Sequence, residues 1–115
     1  MSNMKTQYRA AFVIPRGAKK VLGESGWEFD SQNRLPDSIK DSLVSVLKLK
    51  PLQRYLGIES YADEHSMKMS VIYDDSHQIE NIYFQLHGDA LMRLVDYFNS
   101  QGLEDGCELF IPDKS

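Results

Sequence analysis

Between Tyr8 and Ile14 apolar positions recur at every second residue. Tyr8, Ala10, Phe12 and Ile14 alternate with Arg9, Ala11 and Val13 until Pro15 stops the run. A period of two is the signature of a strand. The next 21 residues, 15–35, hold Gly17, Gly23 and Gly26 and sustain no period, so they read as an irregular connection with a short strand around Trp27 to Phe29, anchored by Trp27. From Pro36 the spacing changes: Ile39, Leu43, Val46 and Leu47 share one helical face while Lys40 and Lys48 lie off it, which predicts a helix ending near Lys50. Pro51 breaks that helix and is read as opening a short second helical turn, with Leu52, Tyr55 and Leu56 inward and Gly57 ending it.

The rest of the pattern is regular. After a polar, acidic stretch from Glu59 to Glu64, Met67, Met69, Val71 and Tyr73 alternate with Lys68, Ser70 and Ile72. Asp74, Asp75, Ser76 and His77 are turn formers, and beyond them Ile82, Phe84 and Leu86 alternate with Asn81, Tyr83 and Gln85. Together these predict a β-hairpin. Asp89 then caps a helix whose Leu91, Leu94, Val95 and Phe98 stand at i, i+3, i+4 and i+7, with Gly102 placed to end it. Cys107, Leu109 and Ile111 alternate up to Pro112 and make a last strand. The predicted order is β-α-β-β-α-β. It packs as an α+β two-layer sandwich, about four mainly antiparallel strands with two helices on one face, in the manner of a split βαβ arrangement whose strand order the long first connection leaves open.

A chain of 115 residues is one ordinary domain, 1–115, able to bury a core without staples. Cys107 is the only cysteine, so no internal disulfide forms. With neither a signal peptide nor an apolar run of ~18 residues, a soluble cytoplasmic protein is expected.

Charge changes the picture more. The net charge is −4, but residues 1–54 carry ten Lys/Arg against five Asp/Glu and residues 55–115 carry three against twelve, about +5 and −9. An acidic face built from the second half would repel nucleic acid and steer basic proteins toward it.

Candidate chemistry is sparse. His65, His77 and His87 lack metal-ligand spacing, so no metal or other cofactor is expected. His77 beside Asp74 and Asp75 sits in a predicted exposed turn, a poor place to hold a perturbed pKa, and Cys107 has an anionic neighbour, Glu108, that makes a worse nucleophile. The basic turn Arg16 to Lys20 lacks phosphate-loop spacing, since Gly17 is followed by Gly23, Glu24 and Ser25. The aromatics do not interleave with basic residues as a nucleic-acid platform requires. No catalytic function is expected.

The segment Tyr73 to Ile111, with its acidic turn, the run Ile79-Glu80-Asn81-Ile82-Tyr83-Phe84-Gln85-Leu86, the helix Leu91 to Phe98 and a short final strand, resembles the C-terminal hairpin, helix and strand of small bacterial immunity proteins that accompany polymorphic or contact-dependent growth-inhibition toxins. That resemblance implies a protein that binds a cognate toxin domain, often a nuclease, and blocks its active site. A nuclease must present a positive surface to phosphates, and carboxylates offered to that surface inhibit it. Asp74, Asp75, Glu80, Glu104 and Asp105 are the candidate contacts, with Tyr73 or Tyr83 as aromatic anchors. The alternatives are a small acidic secretion chaperone or adaptor with an apolar dimer face, and a small enzyme, which would need converging polar groups in a pocket.

Overall fold

β1 (Arg9–Pro15) is buried at every position after Arg9, because it lies inside a sheet covered on both faces. It pairs antiparallel with β7 (Ile79–Leu86) on one side and with β8 (Cys107–Phe110) on the other. The computed structural model describes residues 8–64, 66–101 and 106–112. In it the sheet has six antiparallel strands in the order β4-β5-β6-β7-β1-β8, with β4 at Lys50–Tyr55, β5 at Ile58–Ala62 and β6 at Met67–Tyr73. A separate hairpin is formed by β2 (Lys19–Gly23) and β3 (Gly26–Asp30), and the two helices are α1 (Asp37–Val46) and α2 (Ala90–Gln101).

The α+β class and the antiparallel sheet agree with the sequence pattern. Six strands, rather than about four, and a third layer correct the two-layer sandwich. The four strands read from periodicity stand in the order β6-β7-β1-β8, so both units of a split βαβ arrangement interleave.

Parity decides what each face buries. Ala11, Val13, Met67, Met69, Val71, Ile82, Phe84, Leu86 and Cys107 point to the helix side and meet Ile39, Leu43, Ala90, Leu94 and Phe98 in one core. Ala10, Phe12 and Ile14 point the other way into a smaller core with Trp27, Phe29, Tyr83 and Phe110. The hairpin lies on this second face: the Trp27 ring stands edge-on to Phe110 at 4.9 Å, and Phe29 contacts Phe12 at 5.0 Å. The expected strand at Trp27 to Phe29 is therefore β3, but the connection around it is not irregular. β2 went unread because all five of its residues are exposed, which leaves no alternation to see.

The helical turn expected after Pro51 is absent. α1 stops at Val46, where Leu47 N–H bonds Leu43 O, Lys48 N–H bonds Ser45 O and Leu49 N–H bonds Val44 O, with Lys48 at φ 58°. This is a Schellman closure with a lysine in the left-handed position that glycine usually takes. Reversal there buries both Leu47 and Leu49 and sends the chain into β4. β4 is an edge strand, and Pro51 and the register shift between Pro51 and Gln53 suit an edge that should not recruit another strand. Leu52, Tyr55 and Leu56, expected inward, are 58 %, 67 % and 81 % exposed. The acidic stretch from Glu59 likewise becomes β5, inside the sheet between β4 and β6.

Candidate functional site

The hairpin of β6 and β7 ends in a turn organised by one carboxylate. Asp74 Oδ1 accepts the backbone N–H of Ser76 at 2.8 Å and of Gln78 at 2.9 Å, while Oδ2 accepts Arg34 Nε at 2.8 Å. Asp74 N–H donates to Gln78 O, and His77 N–H to Asp74 O, with His77 at φ 66°. The bond from Arg34, aided by the Gln78 and Ser76 amides, holds the Asp74 carboxyl below the usual aspartate range. Arg34 is itself fixed, donating through Nη1 to the carbonyls of Ser31 and Asn33 at 2.9 Å and reaching Glu80 at 3.9 Å. The loop that carries it is tied to β7 through Leu35 N–H to Ile79 O.

Arg34, Tyr73, Asp74, Asp75, Ser76 and Glu80 line an open hollow of about 490 Å³. A second hollow on the other side of the turn shares Arg34 and adds Asp37 and His77. Asp74 and Glu80 thus pair with the Arg34 guanidinium, and two further carboxylates, Asp37 and Asp75, line the hollows that it shares. Asp75 is exposed, whereas Asp74 is occupied within the turn.

Tyr73 is a strut in this arrangement. Its ring stacks on His77 at 4.9 Å with an interplanar angle of 11°, and its hydroxyl donates to Glu59 Oε1 at 2.8 Å. Burial, and then that bond to an anion, push the Tyr73 phenol well above the usual tyrosine range. Glu59 Oε1 also accepts Tyr61 OH at 3.1 Å, Oε2 pairs with Arg54, and Lys40 Nζ lies 3.8 Å away. The edge strand β4, helix α1 and the end of β6 that leads into the acidic turn are thereby linked through one carboxylate on β5.

Of the seven predicted contact residues, Tyr73, Asp74, Asp75 and Glu80 come together around the hollow. Tyr83 does not. It faces the other side of the sheet, stacked on Phe12 at 5.1 Å, in a groove of about 510 Å³ that Trp27, Ile72 and Asn81 also line. Burial, with the Tyr8 hydroxyl alongside, raises the Tyr83 phenol. Glu104 and Asp105 lie outside the described residues, as do His65 and Gly102. Sequence pattern does not reveal Arg34, because nothing local marks a residue 40 positions before its partner, nor Asp37, which reads only as the start of α1.

The charge split is partly consumed by folding. Glu59, Asp74, Glu80 and Glu108 of the second half pair with Lys40, Arg54, Arg34 and Lys20 of the first. The basic turn after β1 is answered the same way: Gly17 N–H donates to Glu108 Oε1 at 2.9 Å and Lys20 Nζ lies 3.2 Å from Oε2. The Gly17 amide, offset in part by burial and aided by Lys20, keeps the Glu108 carboxyl low. Cys107 is buried on the helix side. Among the described residues no three His, Cys, Asp or Glu side chains converge where a metal ion would sit, and no helix is long and apolar enough to cross a membrane. No protein-family model, curated protein or solved structure matches this chain.

Proposed function

We propose that this chain is a non-catalytic inhibitor of the immunity type, which binds the cationic face of a cognate toxin domain, a nuclease on charge grounds, and blocks its active site in the cytoplasm of the cell that makes both. The observation that carries this reading is the acidic end of the β6–β7 hairpin, where Asp74 and Glu80 pair with Arg34 and Asp75 and Asp37 line the adjoining hollows. Asp74 spends its hydrogen bonds on the turn, so Asp75 and Glu80 are presented on a backbone that does not have to order on binding. Carboxylates on an open hollow suit a protein surface better than catalysis, since a general acid or base needs burial or a close partner to shift its pKa.

A secretion chaperone or adaptor is the second reading, and exposed apolar residues at the tip of β4 and β5 favour it. Co-expression separates the two. An inhibitor restores growth to cells making the toxin domain encoded beside it and leaves that domain folded in a stoichiometric complex. A chaperone instead binds an unfolded segment, with no protection against the folded toxin.

A further inference from the structure

The turn between β4 and β5 carries a residue that neither conformation nor solvation favours. Tyr55 pairs with Ile58, so the loop is Leu56-Gly57, and both residues have positive φ, 48° and 80°. A two-residue hairpin loop of the primed type demands this and normally uses Asn-Gly. Gly57 fits, but Leu56 places a Cβ in the left-handed region, where the following carbonyl crowds it. Its side chain is 81 % exposed, so the fold gains no burial in return. Tyr55 and Leu52 beside it are also largely exposed. Strain and exposed apolar surface at one residue are two separate penalties, and asparagine would remove both.

The tip also stands beside the acidic turn. Gly57 O accepts the Tyr73 N–H at 2.9 Å and Ile58 stands opposite Ile72, so the loop that carries Leu56 lies against the residue that leads into Asp74 and Asp75. An apolar knob and an acidic turn thus share one end of the sheet.

We propose that Leu56 is the apolar anchor of the binding surface, entering a leucine-sized pocket on a cationic protein whose rim lysines and arginines meet Asp75 and Glu80. This rests on the inhibitor reading above. A second copy of the chain is a poorer occupant, because a two-fold contact through this tip would bring two acidic turns together.

The test uses the full chain, two variants and the purified toxin domain encoded by the neighbouring gene. Leu56→Asn should melt a few degrees higher than wild type, since it relieves the turn, yet bind that domain at least ten-fold more weakly, mainly through faster dissociation. Leu56→Ala keeps the strain and should lose affinity as well. Leu56→Asn binding as tightly as wild type, or melting below it, overturns the anchor while leaving the inhibitor reading intact. A wild-type chain that does not bind the domain overturns the inhibitor reading and the anchor with it. A wild-type dimer that Leu56→Asn dissolves assigns the tip to self-association and overturns the proposal.

Discussion

Replacing Glu59 by glutamine should weaken the fold and change how its stability responds to acid. The carboxylate takes two phenol hydroxyls on Oε1, Arg54 on Oε2 and Lys40 nearby, and its side chain is only 13 % exposed. Glutamine keeps the shape and one carbonyl oxygen for the phenols but turns an amide toward cations. Hydrogen bonds to a charged group contribute about 1.5–3 kcal/mol and neutral ones about 1 kcal/mol, so replacing two of the former by two of the latter costs about 2 kcal/mol. The Arg54 side chain, 63 % exposed, adds little. For a chain of 115 residues that is a fall in Tm of about 8 °C.

The pH dependence follows from the sign of the shift. Burial pushes the Glu59 carboxyl up, but bonds from Tyr73, Arg54 and Tyr61 to its ionised form outweigh burial and hold it below the ordinary glutamate range. A depressed folded-state pKa gives stability that is full above the unfolded pKa and is lost as pH falls through the folded one. Urea unfolding at neutral pH and at several values down to about pH 3 should therefore show the gap between wild type and Glu59→Gln shrinking below about pH 4.5. An unchanged midpoint at neutral pH, or a gap that stays constant into acid, would refute the claim that an ionised Glu59 holds these elements together.

Phe98→Ala should cost about 3–5 kcal/mol by denaturant unfolding, because the ring is 8 % exposed on the inward side of α2 against Tyr97; an unchanged midpoint contradicts that packing. Asp75→Asn should leave stability within about 0.5 kcal/mol, since the side chain is exposed. Asp74→Asn, one position earlier, should destabilise measurably more and speed hydrogen exchange at the Ser76 and Gln78 amides, and equal effects at the two positions would mean that Asp74 does not organise the turn.

Periodicity revealed the elements that bury one face and expose the other. β6 and β7 alternate because Met67, Met69, Val71, Ile82, Phe84 and Leu86 all meet the helices, and the turn between them is built from local residues. It failed where alternation is not apolar. β4 is exposed throughout, and β5 turns the charged Glu59 inward beside Tyr61, whose ring packs on the core while its hydroxyl donates to that carboxylate. The end of α1 was hidden by Lys48, a left-handed residue without glycine's signature. In the site, Asp74, Asp75, Glu80 and Tyr73 were legible as one hairpin end. The same alternation already put Tyr83 on the opposite face from Ile82 and Phe84, and grouping it with the acids overlooked that parity. Arg34 lay beyond any local rule, and the charge split was blind to pairing between halves.

Association kinetics with the toxin domain that the proposed function calls for test the central proposal, that the acidic end of the β6–β7 hairpin meets a cationic surface. Asp75 and Glu80 are reversed to Lys together, and Asp74 is spared because its bonds build the turn. The double variant should fold as wild type and associate at least ten-fold more slowly at low salt, because steering charges act on the encounter. The difference should vanish near 0.5 M salt, where the Debye length falls to roughly 4 Å. An on-rate indifferent to both salt and charge reversal would mean that these carboxylates are only a solvated surface.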